Sequence, residues 1–286
     1  MEKLKGTGVA LVTPFDQEGN IDYIGLKEVL NYTAQGVDYF VVMGTTGEVA
    51  TSTKTEKRAV LDFVLKNNPN KLPIVYGIGG NNTSAIVEEI QSTDFSGVDA
   101  LLSVSPYYNK PSQPGIIAHF TKIAEACPVP VILYNVPGRT MSNMTAETTI
   151  ELSNHENIIG VKEASGDLEQ CKKIVDATPT DFLVLSGDDL LTSDIIELGG
   201  SGVISVLANG FPVEFYQIAK LALAGDIEGA KKVTSTFEAI NSFMYSESNP
   251  VGVKEVLRQK GVCGNNVRLP LVPASEELKA QISRLL

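Results

Sequence analysis

DYFVVMGTTGE, residues 38–48, starts as an unbroken apolar run and ends in threonines and glycines. The run is short and rich in β-formers. It does not alternate, so both of its faces are expected to be covered, as in a parallel strand roofed by helices. Seven other runs share this character: GVALVTP (8–14), PIVYGIG (73–79), ALLSVSP (100–106), VPVILYN (129–135), IIGVKEA (158–164), FLVLSGD (182–188) and GVISVLA (202–208). Helical signals lie between them. Thr53 and Glu56 form a capping box ahead of Ala59, Val60, Phe63 and Val64, which share a helix face. Leu26, Val29 and Leu30 repeat at helical spacing, and Pro114 and Pro212 sit where a first helical turn accepts them.

Eight strand–helix units over residues 1–225 predict an α/β fold, the (β/α)8 TIM barrel. The competing doubly wound open sheet lacks its G-x-G-x-x-G turn after the first strand. Three further helices are expected over 226–246, 249–261 and 275–286, capped by Asp226, Asn249 and Ser275. Residues 226–286 thus read as a helical appendage to a catalytic barrel, with no linker between them.

Of the 286 residues, 43% are hydrophobic and 20% charged, an ordinary soluble composition. The net charge of -11 and pI near 4.8 disfavour nucleic acid and acidic membrane surfaces as partners. No apolar run approaches the roughly 18 to 20 residues of a membrane helix. The apolar run in MEKLKGTGVALVTPF is too short for a secretory signal, and no small-residue cleavage site follows it, so a cytoplasmic protein is expected. Cys127, Cys171 and Cys263 are scattered and form no C-x-x-C pair, which indicates neither zinc nor a disulfide framework. His119 and His155 alone give little material for a histidine metal site or a Ser-His-Asp triad. No cofactor and no metal are expected.

In a barrel, chemistry sits where strands end. Polar residues collect there: GTTGE (44–48), SPYYNKP (105–111), YNVPGRT (134–140), Lys162, and SGDD (186–189). Strand alternation places Ile158, Gly160 and Lys162 on one face and Ile159, Val161 and Glu163 on the other. With Lys162 inward, Gly160 below it would leave room for a small molecule. A lysine here also fits a plain strand end, its amine reaching solvent or pairing with Glu163 or Asp167. An ordinary lysine, pKa about 10.4, is almost wholly protonated at neutral pH. Desolvation by apolar neighbours disfavours the charged form and frees the lone pair, which attacks a ketone to give a Schiff base. The protonated imine draws electrons from the adjacent carbon, which becomes an enamine nucleophile.

Such chemistry needs a proton shuttle. Tyr134 ends the neighbouring strand, and a phenol both donates and accepts; alone it also fits a half-buried rim aromatic. Thr45 and Thr46 suit a carboxylate or a relay, and equally a strand-to-helix turn, with Gly44 and Gly47 serving turn geometry. Arg139, after strand 5, could hold a carboxylate through two parallel hydrogen bonds or stand as a loop charge. Asp188 and Asp189 read as capping and rim hydrogen-bonding groups rather than a magnesium pair. GGSG (199–202) precedes strand 8 and so lies at the wrong end for a phosphate cradle. GIGGNNT (77–83) reads as a tight turn into a helix capped by Thr83 or Ser84.

From GTGVALVTPF (6–15) through NPVGVK (249–254), the ordered motifs GTTGE, PYYNKP, YNVPGRT, GVKEASGD (160–167) and GVISV (202–206) resemble the pyruvate-dependent class I aldolases. Within them the chain is most similar to the dihydrodipicolinate synthase family. The resemblance implies condensation of pyruvate with L-aspartate 4-semialdehyde at the start of lysine biosynthesis through diaminopimelate. Lys162 would carry the Schiff base. Tyr134, Thr46 and Tyr108 would relay protons, Tyr108 crossing from a neighbouring subunit of a dimer or tetramer. Thr45 and Thr46 would hold the pyruvate carboxylate, and Arg139 the carboxylate of the semialdehyde. Gly187, Asp188 and Ile204 would line the pocket.

Sister lyases that act on N-acetylneuraminate or 2-keto-3-deoxy-sugar acids share the lysine and tyrosine, but Arg139 favours the synthase pattern. A non-catalytic barrel would need no such set. Lysine-sensitive members place two histidines where Lys54 and Lys57 stand, and a glutamate near Ala85, although Asn81 and Tyr107 match. Two ammonium groups there would repel a cationic effector.

Overall fold

The unbroken apolar runs become strands because each buries both faces. The computed structural model describes residues 1–286. Strands β1 (Gly6–Ala10), β2 (Tyr39–Val42), β3 (Ile74–Gly77), β4 (Ala100–Val104), β5 (Val131–Asn135), β6 (Ile158–Glu163), β7 (Leu183–Ser186) and β8 (Gly202–Ser205) pair in sequence order into a closed parallel barrel. The TIM barrel read from the sequence is the fold. Closure demands intimacy between β1 and β8: a Cβ on Gly202, at φ +147°, would stand 2.0 Å from the Gly6 carbonyl oxygen. GGSG therefore closes the bottom of the barrel, away from the strand ends where chemistry collects.

Helices α1 (Tyr23–Thr33), α2 (Lys54–Asn67), α3 (Thr83–Gln91), α4 (Gln113–Ala126), the one-turn α5 (Pro137–Thr140), α6 (Ala146–Leu152), α7 (Leu168–Ala177), α8 (Thr192–Glu197) and α9 (Pro212–Leu223) form the outer ring. The capping box predicted for α2 is present in both directions. The cap of α3 differs from expectation: Asn82, not Thr83 or Ser84, accepts from the Ala85 N–H, while the Thr83 hydroxyl bonds His119. Two apolar layers result. An inner one of 14 residues, including Tyr39, Val75, Leu102, Ile132 and Leu185, fills the barrel. An outer one of 58 lies between strands and helices.

The β5–β6 pairing slips: Val131 faces Ile158, but Ile132 already faces Gly160. This irregularity corrects the simple alternation. Ile158 joins the outer layer and Ile159 the inner one. Above the slip, Gly160 and Lys162 point inward. Gly160 does not make room for a ligand, however. A Cβ there would lie 2.5 Å from the Leu183 carbonyl oxygen and 2.7 Å from its Cβ, so its bareness serves inner packing.

Four helices follow α9, not three: α10 (Ile227–Ser235), α11 (Glu238–Tyr245), α12 (Val251–Gln259) and α13 (Glu276–Ser283). The span 226–246 breaks after Ser235. The Ser235 and Thr236 hydroxyls turn back onto the carbonyls of Lys232 and Val233, which competes with helix continuation. Phe237 then anchors the break against Phe211 and Phe215. Asp226 and Ser275 cap as expected. Asn249 does not; its side chain goes elsewhere. Ile240, Met244, Val253 and Val256 share the outer apolar layer of the barrel. No helix is long and apolar enough to cross a membrane.

Candidate active site

Register brings the two reactive side chains together. Tyr134 on β5 pairs directly with Lys162 on β6, so both project into the barrel from neighbouring strands. Lys162 is 5% exposed, with its Nζ 4.5 Å from the centroid of the Tyr134 ring. The next pair, Asn135 and Glu163, points outward. Asn135 Nδ2 donates to both Glu163 oxygens at 3.0 Å, and Ser165 N–H and Gln170 Nε2 add 2.8 and 3.0 Å bonds. Burial pushes the Glu163 carboxyl up, while these donors pull it back. The outer network fixes the strand pair whose inner side carries Lys162. Gly187 lets the end of β7 pass close to β6: a Cβ there would lie 2.6 Å from the Ala164 Cβ and 3.1 Å from Lys162 Cε.

Thr45 and Thr46 sit in a single 3₁₀ turn, Thr45–Gly47, that ends at Glu48 with φ +55°. This turn, together with Tyr134, Arg139, Lys162, Gly187 and Asp188, lines one cavity of about 260 Å³. Arg139 reaches it from the one-turn α5 at the mouth. Asp188 accepts from the Leu190 N–H at 2.9 Å. Asp189 behaves as the sequence suggested. It is 2% exposed and caps the turn after β8 by accepting from the N–H groups of Val206 and Leu207. Burial raises its carboxyl to about 6.

One expected lining residue lies elsewhere. Ile204 belongs to the packed inner layer and does not line the cavity; Val206, two positions nearer the strand end, does. Tyr108 is 88% exposed, at φ +74°, and is absent from the cavity of its own chain. Three polar residues that sequence reasoning did not place in the site also line it: Asn241, Tyr245 and Asn249, all from the carboxyl-terminal helical region. The sequence marked Asn249 only as a helix cap, Asn before Pro. Nothing in the amphipathic pattern around 238–245 marks the other two.

A second cavity of about 370 Å³ shares Tyr134 and Arg139 with the first and is also lined by Ser52, Lys57 and Tyr107. Asn81 Nδ2 donates to the Tyr107 carbonyl at 3.0 Å. Only one of the two lysines reaches this cavity. Lys57 lines it and pairs with Glu89 at 3.4 Å, whereas Lys54 is exposed in the first turn of α2 and is not part of the lining. No three His, Cys, Asp or Glu side chains gather closely enough to hold a metal ion.

The family model described as the dihydrodipicolinate synthetase family matches residues 3–286. The chain belongs to this family. It is 50% identical over 285 residues to the 4-hydroxy-tetrahydrodipicolinate synthase of Cytophaga hutchinsonii, covering 99% of this chain and 96% of that one. The synthetase-family fold is equally plain. A dihydrodipicolinate synthase from Acinetobacter baumannii, solved with pyruvate, superposes with a TM-score of 0.95 at 35% identity, covering 99% and 97% of the two chains. One from Cyanidioschyzon merolae, solved with lysine bound, gives 0.94 at 37% identity over the same shares.

Proposed function

We propose that this chain condenses pyruvate with L-aspartate 4-semialdehyde to give 4-hydroxy-tetrahydrodipicolinate, the first committed step of lysine biosynthesis through diaminopimelate. The observation that carries the reading is a buried lysine against a tyrosine ring, in a cavity that also holds two threonines and an arginine. The Lys162 amine attacks the pyruvate ketone, and water leaves as the imine forms. Tyr134, with Thr46, takes and returns the protons of that step. Thr45 and Thr46 hold the pyruvate carboxylate. Loss of a methyl proton gives the enamine, whose carbon bonds to the aldehyde carbon of the second substrate. The product's own amine then displaces Lys162 and closes the ring. Gly187 and Asp188 line the pocket around this exchange.

Arg139 stands at the mouth, where the second carboxylate would enter. Arg139→Ala should lower kcat/KM for the semialdehyde roughly 10- to 100-fold, the worth of a charge-assisted pair of hydrogen bonds. Pyruvate adduct formation should be unchanged. Steady-state kinetics and borohydride trapping measure the two separately, and an equal loss in both would remove Arg139 from second-substrate binding. Product formation by the unaltered enzyme from both substrates tests the function itself.

Tyr108 would complete the relay in a neighbouring copy, since its exposure keeps it out of its own cavity; a homodimer or homotetramer supplies that copy. Residues 1–225 would form the catalytic barrel and 226–286 the appendage that closes one wall of its site. A cytoplasmic setting matches two soluble metabolites as substrates. Feedback by free lysine should be weak or absent, because Lys54 and Lys57 stand where lysine-sensitive members carry histidines. Half-maximal inhibition by submillimolar lysine in a steady-state assay would contradict this.

A further inference from the structure

We propose that Asn241 and Tyr245, one turn apart on α11, read the amino-acid end of the second substrate. The Asn241 carbonyl oxygen accepts from its ammonium, and the Tyr245 hydroxyl donates to its carboxylate beside Arg139. The proposal rests on the reading above and names what sets that substrate apart from a plain aldehyde acid. Ile240 and Met244 seat α11 in the outer apolar layer. The residues that follow each of them, Asn241 and Tyr245, share a helix face at i, i+4 spacing, and both line the cavity that holds Lys162. Asn241 Oδ1 is buried and receives no donor from the chain. Asn249 Oδ1, on the same cavity, is also buried and unpaired, although its Nδ2 donates to Thr46 Oγ1 at 3.0 Å. Buried acceptors without a donor are costly, and folded chains rarely leave one.

Pyruvate has no N–H or O–H to offer these oxygens. The semialdehyde brings an ammonium with three N–H donors, and Asp188 on the same lining adds a negative charge. One edge of the Tyr245 ring is exposed at the mouth, while its hydroxyl end is desolvated. Burial, with Asp189 and Asp188 adding to it and Arg139 opposing, holds that hydroxyl well above the ordinary phenol value. It therefore stays protonated and able to donate. A helix that only closed the wall would do so with apolar side chains, which leave no acceptor unpaired. A site built to bond a substrate group instead rejects the analogue that lacks it, because its own polar atoms are then stranded.

The experiment compares the unaltered enzyme, Asn241→Ala, Asn241→Asp and Tyr245→Phe on two aldehydes. L-Aspartate 4-semialdehyde carries both charged groups. Succinate semialdehyde has the same carbon chain and carboxylate but no amine, and is read as an inhibitor competing with it. Asn241→Ala should lower kcat/KM for the aspartate semialdehyde roughly 10-fold or more, the worth of a hydrogen bond to a charged group. The inhibition constant of succinate semialdehyde should stay within about twofold, and borohydride trapping of pyruvate should be retained. Asn241→Asp keeps an acceptor, so it should hold kcat/KM within about threefold; it carries the test if Asn241→Ala does not fold. Tyr245→Phe removes one oxygen and should weaken both aldehydes alike, roughly 3- to 10-fold, because both carry the carboxylate. An Asn241→Ala variant that weakens both aldehydes equally or neither, or a matching loss in Asn241→Asp, would overturn the ammonium assignment. Tyr245→Phe leaving both aldehydes unchanged would overturn the carboxylate assignment. If the unaltered enzyme makes no product from pyruvate and the aspartate semialdehyde, the functional reading fails instead, and the failures are distinct.

Discussion

Lys162→Ala should lose turnover by roughly 10⁴-fold or more, the scale on which enzymes lose rate when a covalent nucleophile is removed. No other group can take its place: Tyr134 sits beside the position, but a phenol forms no imine. Arginine would not rescue the loss, because a guanidinium does not give up its proton. The fold should survive. Lys162 meets the Tyr134 ring rather than a carboxylate, so its removal strands no opposite charge. The melting temperature should stay level or rise, since a buried amine with little compensation is expensive to keep. Intact-mass analysis after borohydride reduction with pyruvate is the deciding measurement. The unaltered chain should gain one adduct, and the variant none. An adduct retained by Lys162→Ala would mean that a different lysine performs the reaction.

The second large effect is on stability. Lys254 is fully buried, and its partner Glu48 nearly so. The ammonium also donates to the Asn266 carbonyl at 2.7 Å and lies 4.3 Å from the centroid of the Phe15 ring. Burial pushes the Lys254 amine below its ordinary value, against the upward pull of Glu48. Lys254→Met keeps most of the volume and leaves Glu48 as a buried, unpaired charge. A loss of about 3–5 kcal/mol is expected, a fall in melting temperature of roughly 5–10 °C for a chain of this size. Glu48→Gln/Lys254→Met should recover most of it, because neither member is then charged. Calorimetry on the three proteins measures both effects. A single variant melting within about 1 °C of the unaltered chain would show that the pair carries no stability. Glu48 ends the turn bearing Thr45 and Thr46, so the single variant should lose activity as well.

The barrel was legible because its evidence is local. Each strand needs two apolar faces, and a run such as YFVV at 39–42 shows both. The pairing of Tyr134 with Lys162 was legible because adjacent strands that end together bring their last residues side by side. What escaped depends on contacts remote in the chain. The slip beside Ile158 arises between two strands, so neither strand announces it. Choosing Val206 over Ile204 as a lining residue requires knowing how high the inner layer rises. Asn249 has the sequence of a helix cap, Asn before Pro, and its real partner lies 203 residues away. Asn82 outcompetes Thr83 for the cap of α3 because His119, from α4, engages the threonine. Local preference proposes a bond, and the neighbour across the fold disposes of it.

The ion pair between Glu48 and Lys254 spans 206 positions. A ribosome making this chain presents the glutamate 206 positions before the lysine. Until then the carboxylate stays in water, and the threonine turn before it is held by the Thr13 hydroxyl on the Gly47 carbonyl but not yet by the tail. The nascent barrel can draw its strands together but lacks the wall that finishes the pocket. Activity should therefore appear late in synthesis, after the tail is free to dock, which keeps a half-made enzyme from binding metabolites while still tethered.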